Sequence, residues 1–359
     1  MLYIDASRYN NTEKRTGVEN YSFFLINELA KIAPDDIALI SPKKADLNLK
    51  QIVIPFPRLW TQIRLSWEIF RNKKIDNLFV PSHVMPLIHP DNTTITIHDV
   101  AFRRFPESYG FLSRLYLDWA AKFAVKHAKK IIVPSEITKK DLIDLYRCKA
   151  GKIHVIPLGF HPPRINLTKD EETKIIGHWE LVIGHYLLYI GRLEHKKNTD
   201  TLIRAFALFT KENPTIKLVL AGHIGHGGEE IIKNIPTDIK DRIVMLGYVK
   251  DPDKSILMKN TLAFIFPSRY EGFGLPLLEA MYFKLPIIAS KIPTSYEIAK
   301  ENALFFKTES AEELAKLMAK VTSDQKLRGI MTAHHEETLK KYSWAKAAEE
   351  TLRVLMAED

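Results

Sequence analysis

Apolar positions along this chain come in short unbroken runs rather than in strict alternation with polar ones. Runs rich in Ile, Val and Leu fall at Leu2–Asp5, Ile37–Ser41, Asn77–Val80, Thr93–Ile97, Ile131–Val133 and His154–Ile156. A second series falls at Tyr186–Ile190, Lys217–Ala221, Ile243–Leu246, Ala263–Phe266, Ile287–Ser290 and Ala303–Phe306. Such runs are the pattern of parallel strands buried on both faces. Segments of helical period lie between them, Thr199–Lys211 and Ala311–Ser323 among them. Alternation of strand and helix predicts an α/β class in which each half is a doubly wound layer structure. Between the halves, Pro157–Arg164 is dense in Pro and Gly and leads into a polar stretch through Lys174, which reads as a boundary. The predicted domains are 1–165 and 166–341. Ligands of such sheets bind outside the carboxyl ends of the strands, so the chemistry is expected in strand-to-helix turns.

Composition narrows the class without changing it. Apolar residues make up 46% and charged residues 26%, the profile of a soluble globular chain. The net charge of +9 fits nucleic acid, an anionic membrane surface or a phosphorylated substrate. No recognition motif accompanies the cations, which argues against nucleic acid. The single cysteine, Cys148, fits a reducing cytoplasm. Met1–Asp5 reads directly as a strand with no targeting signal, and no apolar run approaches the roughly 18 residues of a membrane span. A cytoplasmic location follows, with peripheral contact at the inner face of a membrane as an extension of it.

The segment richest in chemistry is Tyr270-Glu-Gly-Phe-Gly-Leu-Pro-Leu-Leu-Glu279. A buried strand ends before it, a glycine-bearing turn follows, and Pro276 stands where a helix begins. Backbone N–H groups of Phe273, Gly274 and Leu275 would then suit an anion or sugar hydroxyls. On spacing alone, Glu271 reads equally as a cap and Glu279 as a solvated helix residue. The segment resembles the E-x7-E signature of retaining glycosyltransferases of the GT-B fold, most closely glycosyltransferase family 4. Ser268, Glu271, Gly272, Phe273, Gly274, Pro276, Glu279 and Ala280 fit its pattern without insertion. The resemblance implies two Rossmann-like domains facing across a donor-binding cleft. It also implies that Glu271 contacts the donor sugar and Glu279 the ribose hydroxyls, while the Phe273–Leu275 amides hold sugar and phosphate.

Gly191-Arg-Leu-Glu-His-Lys-Lys-Asn198 follows another buried run. Taken alone it reads as a solvated basic turn, or as a diphosphate site in which Arg192 offers a fork of donors and Lys197 a compact charge. It resembles the family's G-R-x4-K-[GN] motif, which implies that Arg192 and Lys197 neutralise the leaving diphosphate. His98, in Ile97-His-Asp-Val100, would be a structural hydrogen-bonder on its own; the resemblance places it against the donor sugar, with Asp99 orienting it or the acceptor. Thr16–Asn20 looks like the family's glycine loop, in which Gly17 admits phosphates. Tyr248 and Val249 fall where the family lines the base, and Tyr342–Ala348 resembles its final helix, so that 342–359 would pack back on the first domain.

No metal is assigned: Asp251-Pro-Asp253 reads as a plain turn, and His223 and His226 lack a third ligand. The resemblance implies a metal-independent, retaining hexosyltransferase using a GDP- or UDP-sugar, with mannose or glucose as the sugar. The acceptor would be a glycan or a lipid-linked glycan in cell-surface polysaccharide or glycoconjugate synthesis. A GT-B epimerase of sugar nucleotides and a non-catalytic sugar-nucleotide-binding protein are the alternatives. Arg58–Lys74 and Glu107–Lys130 mix cations with aromatics, and Leu112, Leu115, Trp119 and Phe123 recur at helical spacing. They are expected to face the core. The rival reading is a membrane-facing surface.

Overall fold

The computed structural model describes residues 1–9, 15–56, 59–163 and 168–357. The expected boundary at 165/166, together with Arg58 and Arg164, lies outside the described residues. Two compact units form. The first comprises Met1–Arg104, Phe111–Gly159 and Tyr342–Asp359, and the second Phe105–Gly110 and Phe160–Lys341.

The first unit carries seven strands: β1 (Leu2–Asp5), β2 (Ile37–Ser41), β3 (Lys50–Val53), β4 (Asn77–Val80), β5 (Asn92–Thr96), β6 (Lys130–Val133) and β7 (Ile153–Val155). Their order is β3-β2-β1-β4-β5-β6-β7, and every pair is parallel. The second unit carries β8 (Tyr186–Ile190), β9 (Lys217–Ala221), β10 (Ile243–Gly247), β11 (Ala263–Phe266), β12 (Ile287–Ser290) and β13 (Leu304–Phe306). Their order is β10-β9-β8-β11-β12-β13, again all parallel. Both sheets are doubly wound, and strand order reverses at β1/β4 and at β8/β11. Of their central strands, β1, β4 and β11 are buried at every position but Asn77, as both-sided packing demands. In the second unit, β8, β9 and β11 press Leu187, Leu218 and Ile265 against Phe206 and Phe209 of helix Thr199–Phe209 and Leu314 and Met318 of helix Ala311–Ser323.

The C-terminal helix Trp344–Met356 belongs to the first unit and lies on helix Gly17–Ile32. Trp344 stacks on Phe24 with ring centres 5.5 Å apart and lies 5.9 Å from Tyr21. A Cβ at Gly159 would overlap the Trp344 backbone, so only glycine admits this approach. Lys130 Nζ donates to the Val354 and Ala357 carbonyls at 3.1 and 2.7 Å, closing the last helical turn.

Three expectations fail locally. The Thr16–Asn20 segment is the start of a helix rather than a loop before one. Thr16 is its N-cap, closing a capping box with Glu19, and Gly17 is its first residue with open space where a Cβ would stand. Asp251-Pro-Asp253 opens helix Asp251–Asn260, because Pro252 suits a first turn and both carboxylates face the positive helix end. Within Phe111–His127, Ala120, Ala121 and Ala124 are buried, while Leu112 (78%), Leu115 (49%) and Trp119 (43%) are exposed. The apolar stripe read as core-facing points outward, and the buried face is the alanine one, on the side of a helix that packs on helices Ala101–Arg104 and Glu136–Tyr146. Among the described residues no helix is long and apolar enough to cross a membrane.

Candidate active site

The switch point of the second unit gathers the two richest segments. Gly191 follows β8 and leads into the turn His195–Lys197; Ser268–Gly274 follows β11 and leads into helix Leu275–Tyr282. Lys197 Nζ and Glu271 Oε1 lie 2.5 Å apart, a charge-assisted contact joining the two turns. The same carboxylate oxygen accepts from Ser268 Oγ at 2.7 Å, and the Glu271 carbonyl accepts from Thr294 Oγ1 at 2.8 Å. Glu271 is thus fixed from three directions on half-buried ground. Arg192 projects into solvent, and its carbonyl is pinned by Tyr189 Oη at 2.6 Å. Gly191 needs to be glycine, because a Cβ would meet that same Tyr189 hydroxyl at 2.6 Å.

Gly274 caps helix Leu275–Tyr282 at φ 119°, a left-handed conformation that favours glycine. Phe273 is buried and Leu275 half-buried beside it. Glu279 lies one turn into that helix, and its Oε1 meets Lys254 Nζ at 2.9 Å. Lys254 also pairs with Asp251 at 3.1 Å. Burial alone would lower the Lys254 pKa, but the Glu279 and Asp251 carboxylates raise it above the ordinary lysine value, so the ammonium is permanent. In the turn after β10, Tyr248 is exposed and Val249 half-buried. The Tyr248 ring stacks on His223 with centres 5.2 Å apart and planes 11° from parallel. His223, set aside as a metal ligand, is half of an aromatic platform. Among the described residues no group of three or more His, Cys, Asp or Glu is arranged to hold a metal ion.

In the first unit, His98 follows β5. Its Nε2 contacts the Pro81 carbonyl at 3.4 Å, and its ring meets Tyr21 edge-on at 4.7 Å. Burial, then the neighbouring His83, pushes its pKa down to about 4, which keeps the imidazole neutral at pH 7. Asp99 accepts from the Ala101 N–H at 2.9 Å and so caps the next helix; that bond does not orient the His98 ring. At the β1/β4 reversal a cavity of about 470 Å³ is lined by Arg8, Trp60, Gln62, Ser82, His83 and Tyr116. Asp5 ends β1 fully buried. Its Oδ1 accepts from the Ser7 N–H, its Oδ2 has no protein partner, and burial pushes its pKa up to about 6.

The sequence profile of the glycosyl transferases group 1 matches residues 183–338, and that of Glycosyltransferase Family 4 matches residues 15–164. The chain belongs to glycosyltransferase family 4. Sequence relatives of this glycosyltransferase include O-antigen chain mannosyltransferase B of Escherichia coli, 25% identical over 86% of the chain and 81% of the relative. O-antigen chain mannosyltransferase RfbU of Salmonella typhimurium is 25% identical over 85% and 86%. The fold matches WaaG, a glycosyltransferase involved in lipopolysaccharide biosynthesis, at a TM-score of 0.74 and 15% identity over the whole of both chains. It also matches Anabaena HepE, solved with UDP and glucose, at 0.72 and 17% identity over 99% of each chain. The glycosyltransferase therefore has the GT-B fold, built from two Rossmann-like units.

Three residues that support the candidate site went unremarked in the sequence. Asn198 is buried at φ 58°, and its Nδ2 donates to the Pro267 and Thr308 carbonyls at 2.9 and 2.5 Å. The motif's Gly-or-Asn alternative is the signal for it, since those are the residues that tolerate left-handed backbone. Arg269 forks onto Asp200 at 2.8 and 2.9 Å and onto Glu309 at 2.8 Å, and its N–H donates to the Lys196 carbonyl. It ties the two turns from outside. Lys254, the partner of Glu279, carried no motif at all.

Proposed function

We propose that the chain transfers a hexose from a GDP- or UDP-sugar to a glycan or lipid-linked glycan in cell-surface polysaccharide synthesis, with retention of configuration. The observation that carries this reading is the Lys197–Glu271 contact at the β8/β11 reversal, where a cation and a carboxylate are held side by side. A diphosphate needs the first and a sugar hydroxyl the second. Arg192 and Lys197 take the departing diphosphate, Glu271 and the Phe273–Leu275 turn position the sugar, and Glu279 takes the ribose. Gly17 and Gly191 let phosphate approach the backbone, and Tyr248 with Val249 borders the base. His98 is assigned to the sugar by family resemblance, and its neutral ring suits hydrogen bonding to a hydroxyl. The first unit, with its cavity beside Arg8 and His83, is the acceptor side.

In this reading the bond from the anomeric carbon to the diphosphate breaks as the acceptor oxygen attacks on the same face. The acceptor's proton passes to the departing phosphate oxygen. Negative charge grows on the diphosphate, and Arg192 and Lys197 stabilise it electrostatically. These cations supply what a resident metal ion otherwise would, so turnover is expected to survive chelation. Mannose is favoured by the names of the relatives, and a UDP-sugar by HepE. Peripheral contact with an anionic membrane belongs to the same reading, as the place where a lipid-linked acceptor resides.

The test is a panel of GDP- and UDP-sugars followed for free nucleotide with and without acceptors, with the product's anomeric configuration read by NMR. Acceptor-dependent release with retention supports the proposal. Epimerised donor without release, or donor binding without any turnover, overturns it.

A further inference from the structure

Six residues of the second unit come from the middle of the first unit's sequence. Phe105–Gly110 packs with the second unit, although along the chain it joins helices Ala101–Arg104 and Phe111–His127 of the first. The segment holds its own shape. Pro106 opens the single turn Pro106–Ser108, in which the Ser108 N–H donates to the Phe105 carbonyl at 3.1 Å and the Tyr109 N–H to the Pro106 carbonyl at 3.2 Å. That turn lies against the turn His195–Lys197. One aromatic ring of the segment meets each turn of the candidate site. Phe105 and Tyr270 stand with ring centres 6.0 Å apart, and Lys196 Nζ donates to Tyr109 Oη at 3.1 Å. The same ammonium lies 5.3 Å from the centre of the Tyr109 ring. Glu107 shares the wall of a cavity of about 370 Å³ with His195 and with Arg269, the residue that ties the two turns from outside.

Lys196 and Lys197 are consecutive in a turn of three residues, and their side chains are only 14% and 21% exposed. Two ammonium groups so close together repel each other and compete for the same carboxylates. The turn resolves this by sending them apart. Lys197 reaches Glu271, while Lys196 goes to Tyr109 and, at 3.8 Å, to the buried Glu194. The tyrosine supplies what Lys196 needs in order to stay there, a hydroxyl oxygen to accept and a ring face to offset the charge. Tyr270 is buried and directly precedes Glu271, so the Phe105 ring bears on the other turn next to its carboxylate.

We propose that Tyr109 and Phe105 are positioning residues of the donor site. Through Tyr109 the segment Phe105–Gly110 holds Lys196 aside, so that the turn presents Lys197 to the diphosphate. Through Phe105 it braces Tyr270 and with it Glu271. Both residues act through the turns rather than on the ligand. The proposal rests on reading those turns as the nucleotide-sugar site, and it adds to that site a stretch of chain more than 80 residues distant in sequence.

The test uses the full chain and two measurements, calorimetric titration with GDP and with UDP and amide hydrogen exchange of the turn His195–Asn198. Thermal unfolding is followed on every variant. Tyr109→Phe keeps the ring and loses the hydroxyl, and should weaken binding of the nucleotide the parent takes about fivefold. Tyr109→Ala loses both and should weaken it roughly twentyfold. Once Lys196 is replaced in Lys196→Met, adding Tyr109→Phe should change binding by less than about twofold, because the contact it removes is already gone. The Lys197 and Asn198 N–H groups, which donate to the Glu194 and His195 carbonyls at 3.0 and 2.9 Å, should exchange about fivefold faster in Tyr109→Phe. Parent-like binding by Tyr109→Ala, a loss in Tyr109→Phe that persists in full beside Lys196→Met, or unchanged exchange in the turn overturns the proposal. If the unsubstituted chain binds neither nucleotide, the donor reading fails, and the exchange measurement alone decides whether the segment holds the turn.

Discussion

Asn198 is where backbone, packing and chemistry meet, and replacing it gives a worked prediction. Asn198→Ala removes the Nδ2 donor from the Pro267 and Thr308 carbonyls. Two buried hydrogen bonds are lost, at about 1 kcal/mol each. Alanine must also hold the left-handed φ of 58°, at a further cost of about 1 kcal/mol. The total is about 3 kcal/mol. For a unit of this size that lowers the midpoint by roughly 6–12 °C in calorimetry of the intact chain. Asn198→Gly loses the same bonds but accepts the conformation, so it should retain about 1 kcal/mol more than the alanine variant. Both should weaken nucleotide binding, because Lys197 directly precedes the turn that Asn198 anchors. An alanine variant melting within about 2 °C of the parent, or a glycine variant less stable than the alanine one, would refute the reasoning.

Asp5→Asn tests the buried carboxyl of the first unit. Its folded pKa of about 6 exceeds the ordinary 3.8, so the stability it contributes is present below that value and is lost as pH rises through 6. The asparagine variant should therefore gain on the parent by up to about 3 kcal/mol between pH 4 and pH 7 in denaturant titrations, and a pH-independent difference would contradict this. His98 acts with the opposite sign. Its folded pKa of about 4 lies below the ordinary 6.5, so its contribution fades as pH falls through that window; His98→Gln should flatten the acid limb of the stability curve. Lys254→Met leaves Glu279 without its ion-pair partner. Donor KM should rise roughly tenfold with kcat changed far less, and an unchanged KM would remove Lys254 from the site.

Much of the fold was legible because burial writes itself into the chain. The runs at Tyr186–Ile190, Lys217–Ala221, Ala263–Phe266 and Ile287–Ser290 became strands over the residues expected. Lys50–Val53 was missed because β3 is an edge strand exposed at both ends, so no apolar run announces it. The helix Phe111–His127 shows a different limit. Periodicity reveals that a helix has an apolar stripe but not which way it faces, and small Ala residues made the inward face nearly silent. Of the motif segments, the two of the second unit meet at the β8/β11 reversal, through Lys197 and Glu271. Their supports did not show: Asn198 reaches residues 69 and 110 positions away, and Lys254 meets a glutamate 25 positions away. Such partners are chosen by topology, and only the strand order brings them together.

The central claim is that the turns after β8 and β11 form the nucleotide-sugar site, with Arg192 and Lys197 on the diphosphate. Calorimetric titration of GDP and UDP into the parent chain, Arg192→Ala and Lys197→Ala tests it most directly. One nucleotide should bind the parent, and each variant should bind it at least about tenfold more weakly with an unchanged melting profile. Undiminished binding in both variants would contradict it.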